Sequence, residues 1–248
     1  MILRFDQTKL DKDYLAVRPY KVTAIEANFS ELIVNKPWGN EYLVYRNSEV
    51  EVWNLFIKQS EATSMHCHPN KKTALVVLDG KARLSSLNES IELLPMSAAI
   101  LDPGVFHSTQ AVSPGGVRIL EFETPPMKHD IIRLEDRYGR ANKGYEGLKE
   151  METAADLARF SVTEVNITKN FGGKNICIKT LKNGEDSAEI NREKIGLAVI
   201  LGGRIVSRQG DVVYGPVDIL EREGLGELDK AVLADLCLLT IKRVSPAR

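Results

Sequence analysis

Residues 64–80 read Ser-Met-His-Cys-His-Pro-Asn-Lys-Lys-Thr-Ala-Leu-Val-Val-Leu-Asp-Gly, with two histidines, His66 and His68, one residue apart. Side chains two residues apart in a β-strand point to the same face, so we expect both imidazoles to lie side by side while Cys67 points away. Two neutral imidazoles at this spacing can reach one divalent metal ion at roughly 2.0–2.2 Å. The stretch therefore predicts part of a metal site, followed by an apolar strand that ends at Gly80.

A third histidine lies downstream of a turn. His107 follows the turn signal Pro103-Gly104 and opens the next predicted short strand. The chain has four histidines, and three of them fall in these two places. An H-x-H pair by itself is more often a surface or packing feature, but the later histidine favours metal binding. His66, His68 and His107 are therefore the predicted metal ligands.

The composition is that of an ordinary globular protein. The chain has 248 residues, of which 43% are hydrophobic and 27% are charged, and this length suits one large domain or two small ones. The formal net charge is −1. Since no strongly basic face is implied, nucleic acid is not an expected partner, and an anionic small molecule would need a local basic pocket.

The sequence also carries expectations about location. The first residues lack the long apolar core of a signal peptide, and no run of about 18 apolar residues predicts a membrane span. The three cysteines, Cys67, Cys177 and Cys237, are far apart and odd in number. This pattern argues against a disulfide framework and fits a reducing cytoplasm, so we expect a cytoplasmic protein with no membrane partner.

Short apolar segments separated by turn residues recur from Tyr42 to Leu120. This pattern predicts a β-sandwich or barrel. The pair Asp79-Gly80 at the end of the long apolar run predicts a hairpin turn. Residues 150–159 have helical character and read as part of a connector.

The histidine motifs resemble those of the cupin superfamily. The first cupin motif reads G-x5-H-x-H-x3-4-E-x6-G, and His66, His68 and Gly80 match it. The second reads G-x5-P-x-G-x2-H-x3-N, and Gly104 and His107 match it. The resemblance implies a double-stranded β-helix, or jelly-roll, barrel with a metal ion inside.

The chain departs from both motifs. Ser60 lies where the first motif begins with glycine, and Thr73 lies where the family has its glutamate ligand. Asp102 and Ala111 replace the proline and asparagine of the second motif. Because threonine is a poor metal ligand, the resemblance implies a three-histidine site without its acidic ligand, either completed by water or weakened.

Two further stretches resemble one branch of this superfamily. Residues 36–41 read K-P-W-G-N-E, and residues 129–140 read H-D-I-I-R-L-E-D-R-Y-G-R. Both resemble type II phosphomannose isomerases and the C-terminal part of bifunctional mannose-1-phosphate guanylyltransferases. The resemblance covers about residues 34–141. The arginines of the second stretch could bind phosphate, although the interleaved Asp130, Glu135 and Asp136 suit an exposed ion-paired segment equally well.

The second half of the chain repeats features of the first. Residues 198–204, 218–221 and 235–241 echo residues 75–81, 99–102 and 117–123 at offsets of about 120 residues, which is within the domain-length range. The positions that correspond to His66, His68 and His107 are Glu189, Asn191 and Gly226, which the sequence order places in the second half. We therefore predict an all-β bicupin whose second barrel is degenerate and binds no metal.

The expected domain organisation follows from these segments. Residues 1–33 form an N-terminal arm, residues 34–145 a metal-binding cupin barrel, and residues 146–248 a degenerate second cupin-like barrel. Cupins commonly dimerise, so the resemblance also implies a homodimer.

The resemblance implies a metal-dependent sugar-phosphate isomerase-like enzyme that acts on a phosphorylated or nucleotide-linked sugar. Its cofactor would be one divalent transition metal ion, such as zinc, iron, manganese or nickel. Aldose–ketose isomerisation moves a proton between C1 and C2, which requires a general base. Glu61, Glu121 and Glu123 are the candidates for this catalytic base.

The small-molecule substrate would carry a phosphate, and Lys71, Lys72 and Arg133 are the candidate groups to bind it. Each could equally be a solvated surface charge. Two other functions remain open. A three-histidine site without a carboxylate also fits an Fe(II) cupin dioxygenase, and the degenerate second barrel fits a non-catalytic sugar-binding bicupin.

Overall fold

The structure is a computed structural model that describes residues 1–18, 28–140, 145–182, 195–207, 209–221 and 232–242. Strands dominate this part of the chain, so the all-β prediction is confirmed. Three sheets form three layers. None of the helices in the described ranges is both long and apolar enough to cross a membrane.

The central layer is an eight-stranded sheet. Its strands, in spatial order, are β1 (Ile2–Phe5), β9 (Ala98–Leu101), β6 (Lys72–Asp79), β11 (Val117–Thr124), β4 (Glu51–Ile57), β3 (Gly39–Arg46), β2 (Leu32–Lys36) and β13 (Met151–Thr153). All neighbours pair antiparallel except β1 and β9, which pair in parallel.

The second layer is a five-stranded sheet that completes the first barrel. Its order is β12 (Ile132–Glu135), β5 (Met65–Cys67), β10 (His107–Ala111), β7 (Ala82–Ser86) and β8 (Ser90–Leu93). Leu84 and Leu93 from this sheet join Trp53, Leu55 and Leu75 of the central sheet in one buried cluster, which fills the barrel.

The third layer comes from the second half of the chain. Its order is β14 (Thr168–Phe171), β15 (Lys174–Leu181), β19 (Val232–Lys242), β16 (Ile195–Val206) and β17 (Val212–Tyr214), and β18 (Ile219–Glu221) also pairs with β16. This sheet packs on the outer face of the central sheet. Val76, Leu120 and Phe122 on one side meet Val199 and Leu239 on the other in one buried cluster.

The internal repeat is visible in the strand pairing. In the central sheet β6 lies between β9 and β11. In the third sheet β16, which repeats the sequence pattern of β6, pairs with β18 and β19, which repeat those of β9 and β11. The repeat predicted from the sequence is thus visible in the pairing of the described strands. Glu189, Asn191 and Gly226 lie outside the described residues.

The long apolar run of β6 is explained by its central position. Leu75 and Val77 face the barrel interior, whereas Ala74, Val76 and Leu78 face the third sheet. A strand buried on both faces reads as continuous apolar sequence rather than alternating sequence.

Two local predictions were wrong. The turn at Asp79-Gly80 is present, but β6 and β7 belong to different sheets, so this turn carries the chain across the barrel instead of closing a hairpin. The segment expected to be helical contains a 3-10 helix at Leu148–Glu150 and then β13, which pairs with β2. Pairing with an available sheet edge overrides a weak helical preference.

The N-terminal segment supports the barrel. The helix α1 (Lys9–Ala16) begins with a capping box in which Thr8 and Asp11 exchange hydrogen bonds. The other carboxylate oxygen of Asp11 accepts a hydrogen bond from the backbone N–H of Phe106 at 2.9 Å. A further 3-10 helix spans Phe29–Glu31. The arm thus fixes the turn that precedes His107.

Candidate metal centre

Three histidine side chains converge inside the first barrel. His66 on β5 and His107 at the start of β10 are directly paired across the five-stranded sheet, and His68 follows β5 on the same face. The ring centroids lie 4.5 Å apart for His66 and His107, 5.0 Å for His66 and His68, and 5.5 Å for His68 and His107. One ring nitrogen of each histidine lies within 4.8 Å of the others.

Backbone carbonyls orient all three rings. The Nδ1 atoms of His66, His68 and His107 lie 2.7, 2.5 and 3.1 Å from the carbonyl oxygens of Ser64, Asp130 and Val105. Because a carbonyl can only accept, each Nδ1 carries the proton and each Nε2 presents a lone pair. This is the orientation in which proteins hold metal-binding histidines.

Burial keeps the histidines neutral. All three are at most 7% exposed. Loss of hydration lowers the pKa of His66 and His68 well below the usual value, and lowers the pKa of His107 to about 4. Neutral imidazole is the form that binds a metal ion, so the electrostatics suit a metal site as well as the geometry does.

The loop after His68 is held by the segment that resembled the isomerases. Asp130 is fully buried, and its carboxylate accepts hydrogen bonds from the backbone N–H groups of Asn70 and Lys71 at 2.8 and 3.1 Å. The same residue gives its carbonyl to His68. In addition, the N–H of Gly104 donates to the carbonyl of His68 at 2.8 Å, which ties the two histidine loops together.

Two glutamates from β11 approach the histidines. One carboxylate oxygen each of Glu121 and Glu123 lies with a ring nitrogen of His68 in a group whose members are within 4.8 Å of one another. Both glutamates are buried. Since alternate residues of β11 face the barrel interior, the strand delivers both carboxylates to one side of the cavity.

The available atoms fit a metal ion. Nε2 of His68 and Oε2 of Glu123 are buried and find no hydrogen-bond partner within the described part of the chain. Leaving a buried imidazole nitrogen or carboxylate oxygen unpaired is costly. A divalent transition metal accepts nitrogen and oxygen donors of these types, so the residues present suit the cofactor implied by the resemblance.

Buried lysines balance the carboxylates. Lys71 Nζ lies 2.9 Å from Glu123 Oε1. Lys128 Nζ lies 3.3–3.6 Å from carboxylate oxygens of Glu41, Glu121 and Glu123, and 3.9 Å from the centroid of the Trp53 ring. These carboxylates raise the pKa of Lys128 against the opposing effect of burial, so the lysine stays charged.

A second cluster of buried charges adjoins the cavity. The carboxylate of Glu146 forms ion pairs with Lys36, with Arg133 at 3.3 Å and with Arg140 at 2.7 Å. Lys36 also lies 3.2 Å from Glu41. Arg140 is likewise shared between Glu146 and Asp136, so the cluster combines three cations with three carboxylates.

Glu121 differs from its neighbours in its protonation. Burial, with the nearby carboxylates of Glu123 and Glu41, raises the pKa of Glu121 to about 7, even though Lys128 lowers it. By contrast, Lys128 and Lys36 hold the pKa of Glu41 at about 2. The cavity thus combines a permanently ionised carboxylate with one that can exchange a proton near neutral pH.

The cavity brings together part of the predicted set. Lining residues from that set are His66, His68, Glu121, Glu123 and Arg133. The others in the lining are Lys36, Trp38, Glu41, Leu55, Thr63, Ser64, Lys128, Ile131, Arg140 and Tyr145. The K-P-W-G-N-E stretch therefore borders the cavity through Lys36, Trp38 and Glu41, a role that the sequence did not assign.

Four predicted residues are not among the lining residues: His107, whose ring lies 4.5 Å from that of His66, and three that lie elsewhere. Glu61 is not among the lining residues, and its carboxylate accepts a hydrogen bond from the Tyr138 hydroxyl. Lys72 lies 2.7 Å from Asp218 of the second half and faces the third sheet. Lys71 is fully buried behind Glu123. The two neighbouring lysines at the start of β6 thus point to opposite faces of the sheet. The sequence predicts this alternation but not which of the two faces the barrel interior.

Some lining residues were not predicted. Lys128 and Tyr145 lie outside any motif with a known ligand pattern, and only the folded barrel places them beside Glu41. Arg140 was noted with the arginines of its segment, and it pairs with Asp136 at 2.7 Å as well as with Glu146.

Sequence comparison supports the resemblance to the guanylyltransferases. No family model matches this chain. Residues of the chain are 29% identical over 112 positions to the mannose-1-phosphate guanylyltransferase ManC of Salmonella typhimurium, and 26% identical over 111 positions to a mannose-1-phosphate guanylyltransferase of Klebsiella pneumoniae. Each match covers 43% of this chain and 23% of the relative. The matched segment thus spans under a quarter of these relatives.

Comparison with solved structures finds partial likenesses, among them proteins described as having a double-stranded β-helix domain or as belonging to the cupin superfamily. A protein with a double-stranded β-helix domain from Klebsiella pneumoniae has a TM-score of 0.36 at 17% identity, covering 45% of this chain and 91% of that one. A sugar phosphate isomerase of the cupin superfamily from Silicibacter pomeroyi has a TM-score of 0.30 at 16% identity, covering 31% and 51%. KdgF from Halomonas sp. has a TM-score of 0.34 at 14% identity, covering 36% and 82%. Each likeness covers less than half of this chain at a low TM-score.

Proposed function

We propose that the first barrel binds one divalent transition metal ion through His66, His68 and His107 and isomerises a phosphorylated sugar between its aldose and ketose forms. The observation that carries the proposal is the convergence of three buried imidazoles, each with Nε2 left to bind a metal ion, beside a carboxyl group whose pKa is raised to about 7. When bound, the metal ion would supply Lewis-acid polarisation of a carbonyl oxygen.

Glu121 is the proton carrier in this proposal. Its side chain borders the cavity and lies close to His68, where a substrate carbon next to a polarised carbonyl would sit. A 1,2-proton shift needs one group that removes a proton and returns it, and a pKa of about 7 suits both directions. Glu41, whose pKa is lowered to about 2, is less suited to donate a proton.

The basic side chains in the cavity lining support an anionic substrate. Lys36, Arg133 and Arg140 border the cavity and surround Glu146, and guanidinium groups match phosphate geometry in a bidentate manner. The two curated relatives are named for a phosphorylated sugar, which agrees with this charge. Metal identity, the particular sugar and a homodimeric state remain predictions.

The geometry favours the isomerase over the dioxygenase. The dioxygenase hypothesis required three histidines without a nearby carboxylate, whereas two buried glutamates lie beside His68. A non-catalytic sugar-binding role would instead appear as binding of a sugar phosphate without turnover.

The test is isomerisation of mannose 6-phosphate and fructose 6-phosphate in deuterated water, followed by NMR, with protein reconstituted separately with zinc, manganese, nickel or iron(II). We expect interconversion with solvent deuterium at C2 or C1, because the shuttling carboxyl exchanges its proton. Glu121→Gln should lower kcat/KM by about 100-fold or more, the usual contribution of a general base. Glu89→Gln, on the exposed β7–β8 turn, should retain full activity.

Binding of a sugar phosphate to the metal-loaded protein without turnover or deuterium exchange would contradict the proposal and favour the sugar-binding alternative. Oxygen uptake by the iron form, with no isomerisation, would favour the dioxygenase.

A further inference from the structure

We propose that Glu123 is the acidic metal ligand of this site, supplied from β11 in place of the side chain that Thr73 does not provide on β6. The inference rests on the proposed metal-binding function and deepens it. It removes the main departure of this chain from the motif that it resembles, because the carboxylate is relocated rather than lost.

Glu123 lies in the right position for this role. Thr73 and Glu123 are directly paired across the β6–β11 ladder, and both are 1% exposed. Thr73 has the same parity as Leu75 and Val77, which face the barrel interior. Glu123 has the same parity as Ile119, which also faces inwards. Opposite side chains on one face of a sheet have Cβ atoms about 4.5–5.5 Å apart, so one residue can serve the space beside the other.

Unpaired atoms at the same place also indicate a ligand. Glu123 Oε2, His68 Nε2 and Thr73 Oγ1 are buried and lack a hydrogen-bond partner within the described ranges. His68 and Glu123 also have ligand atoms within 4.8 Å of each other. Two buried lone-pair donors, a nitrogen and an oxygen, that lie this close together without a proton donor indicate a shared cation rather than a packing defect.

The two groups of candidate ligands describe one site. One contains the three histidines, and the other contains His68 with Glu121 and Glu123. The Nδ1 atom of His68 is engaged by the carbonyl of Asp130, so His68 has one nitrogen to give. Since a single Nε2 binds a single ion, a carboxylate that shares an ion with His68 also shares it with His66 and His107.

Glu123 suits the ligand role better than Glu121 does. The ammonium of Lys71 forms an ion pair with Oε1 of Glu123 at 2.9 Å, while Oε2 has no hydrogen-bond partner within the described residues. An ion pair behind a metal-bound carboxylate is the usual way in which a ligand is oriented. Glu121 has a longer contact, 3.6 Å from Lys128, and is left to carry the proton.

The experiment measures metal affinity without reference to catalysis. Wild-type protein, Glu123→Gln, Glu121→Gln and the charge-conserving double variant Thr73→Glu/Glu123→Gln are titrated with Zn²⁺ against a chromophoric chelator. The Co²⁺ forms are compared by visible absorption, which reports the ligand set. Circular dichroism establishes that each variant is folded.

We expect Glu123→Gln to bind Zn²⁺ at least about tenfold more weakly and to change the Co²⁺ spectrum, since a charged oxygen ligand is lost. Glu121→Gln should stay within about threefold of wild type, well below the loss typical of a ligand substitution. The double variant should recover wild-type affinity, because its carboxylate returns from the paired position. It also retains a negative charge near Lys71, so it remains informative if Glu123→Gln does not fold.

The possible failures are distinguishable. If wild-type protein binds no Zn²⁺, both the metal site and the relocated ligand are overturned. If wild type binds and Glu123→Gln binds equally well with an unchanged Co²⁺ spectrum, only the relocated ligand is overturned. A folded double variant that binds more than about tenfold more weakly than wild type would likewise overturn it, by the same ligand-loss criterion.

Discussion

At the scale of single residues, the site depends on how three imidazoles are held. Each Nδ1–H is engaged by a backbone carbonyl, and each ring is buried, so the histidines are neutral before any metal arrives. Metal binding to such a site requires neither deprotonation nor reorientation of its ligands. The cost appears instead in the stability of the metal-free protein at low pH.

The pH dependence of stability provides a residue-scale prediction. Burial lowers the pKa of His107 to about 4, whereas an unfolded histidine titrates near 6.5, as it does in model peptides. Between these values the unfolded chain binds more protons, so the contribution of His107 to the free energy of unfolding rises with pH. Glu121, with its raised pKa, acts in the opposite sense between about pH 4.5 and 7, so a difference between variants is needed.

We expect the free energy of unfolding of wild type to rise relative to that of His107→Asn as the pH is raised from 4 to 6.5, measured by urea unfolding with a chelator present. The shift should be at most about 3 kcal/mol, from 1.36 kcal/mol per pKa unit. A difference that does not change with pH would show that His107 titrates normally in the folded protein.

Among single residues, the sequence identifies ligand types better than contacts. The H-x-H pair and the later histidine carry their own spacing signal, so His66, His68 and His107 can be grouped from the sequence alone. Glu61, Glu121 and Glu123 could not be ranked, because which glutamate faces the cavity depends on strand pairing. Lys128 carried no signal at all, since its position depends on four distant carboxylates and an aromatic ring.

At the scale of strands and turns, β6 explains both a success and an error. Its continuous apolar sequence predicted a buried strand, and it is buried on both faces. The turn after it was predicted correctly as a turn but incorrectly as a hairpin. Local residues determine that the chain must bend at Gly80, whereas the partner of each strand is set by distant strands.

Gly80 provides the prediction at this scale. Its φ is +77°, and a Cβ atom there would lie 2.2 Å from the carbonyl oxygen of Gly116. Gly80→Ala therefore combines backbone strain with a clash against backbone. We expect it to reduce the free energy of unfolding by about 3 kcal/mol or more, at the upper end of single substitutions, as measured by chemical denaturation.

Gly173→Ala is the matched control. Gly173 has a φ of +76°, and a Cβ atom there would meet nothing within 4 Å. Its cost should be that of the left-handed backbone alone, about 1 kcal/mol. Equal losses in the two variants would show that the crossing turn at Gly80 can relax.

At the scale of the whole molecule, the third sheet is part of the structure that supports the site. Its inner face shares one buried cluster with the outer face of the central sheet, and Lys72 and Arg4 both pair with Asp218 across this boundary. The repeat in the sequence predicted a second unit of similar strands. It did not predict that this unit would cover the first, because repetition carries no information about docking.

Cooperative unfolding follows from this shared cluster. Both tryptophans of the chain, Trp38 and Trp53, are buried in the first barrel, so their fluorescence reports on the barrel. Val199 lies in the third sheet and is fully buried against the central sheet. We expect Val199→Asp to lower the free energy of unfolding obtained from the tryptophan transition by about 3 kcal/mol or more, because an unpaired charge is buried at the shared cluster.

Val213→Asp is the control. Val213 lies on β17 of the same sheet and is 51% exposed, so this substitution should change the free energy of unfolding by no more than about 0.5 kcal/mol. A tryptophan transition that is unaffected by Val199→Asp would mean that the barrel is stable independently of the third sheet.

The proposed function depends above all on the joint binding of one metal ion by His66, His68 and His107. The most direct measurement is the metal content of protein reconstituted with Zn²⁺ and dialysed, determined by elemental analysis for wild type, His66→Ala and His107→Ala. We expect about one ion per chain in wild type, as for a single site of three protein nitrogen ligands, and its loss in both variants. Wild-type protein that retains no metal, or variants that retain as much as wild type, would contradict it.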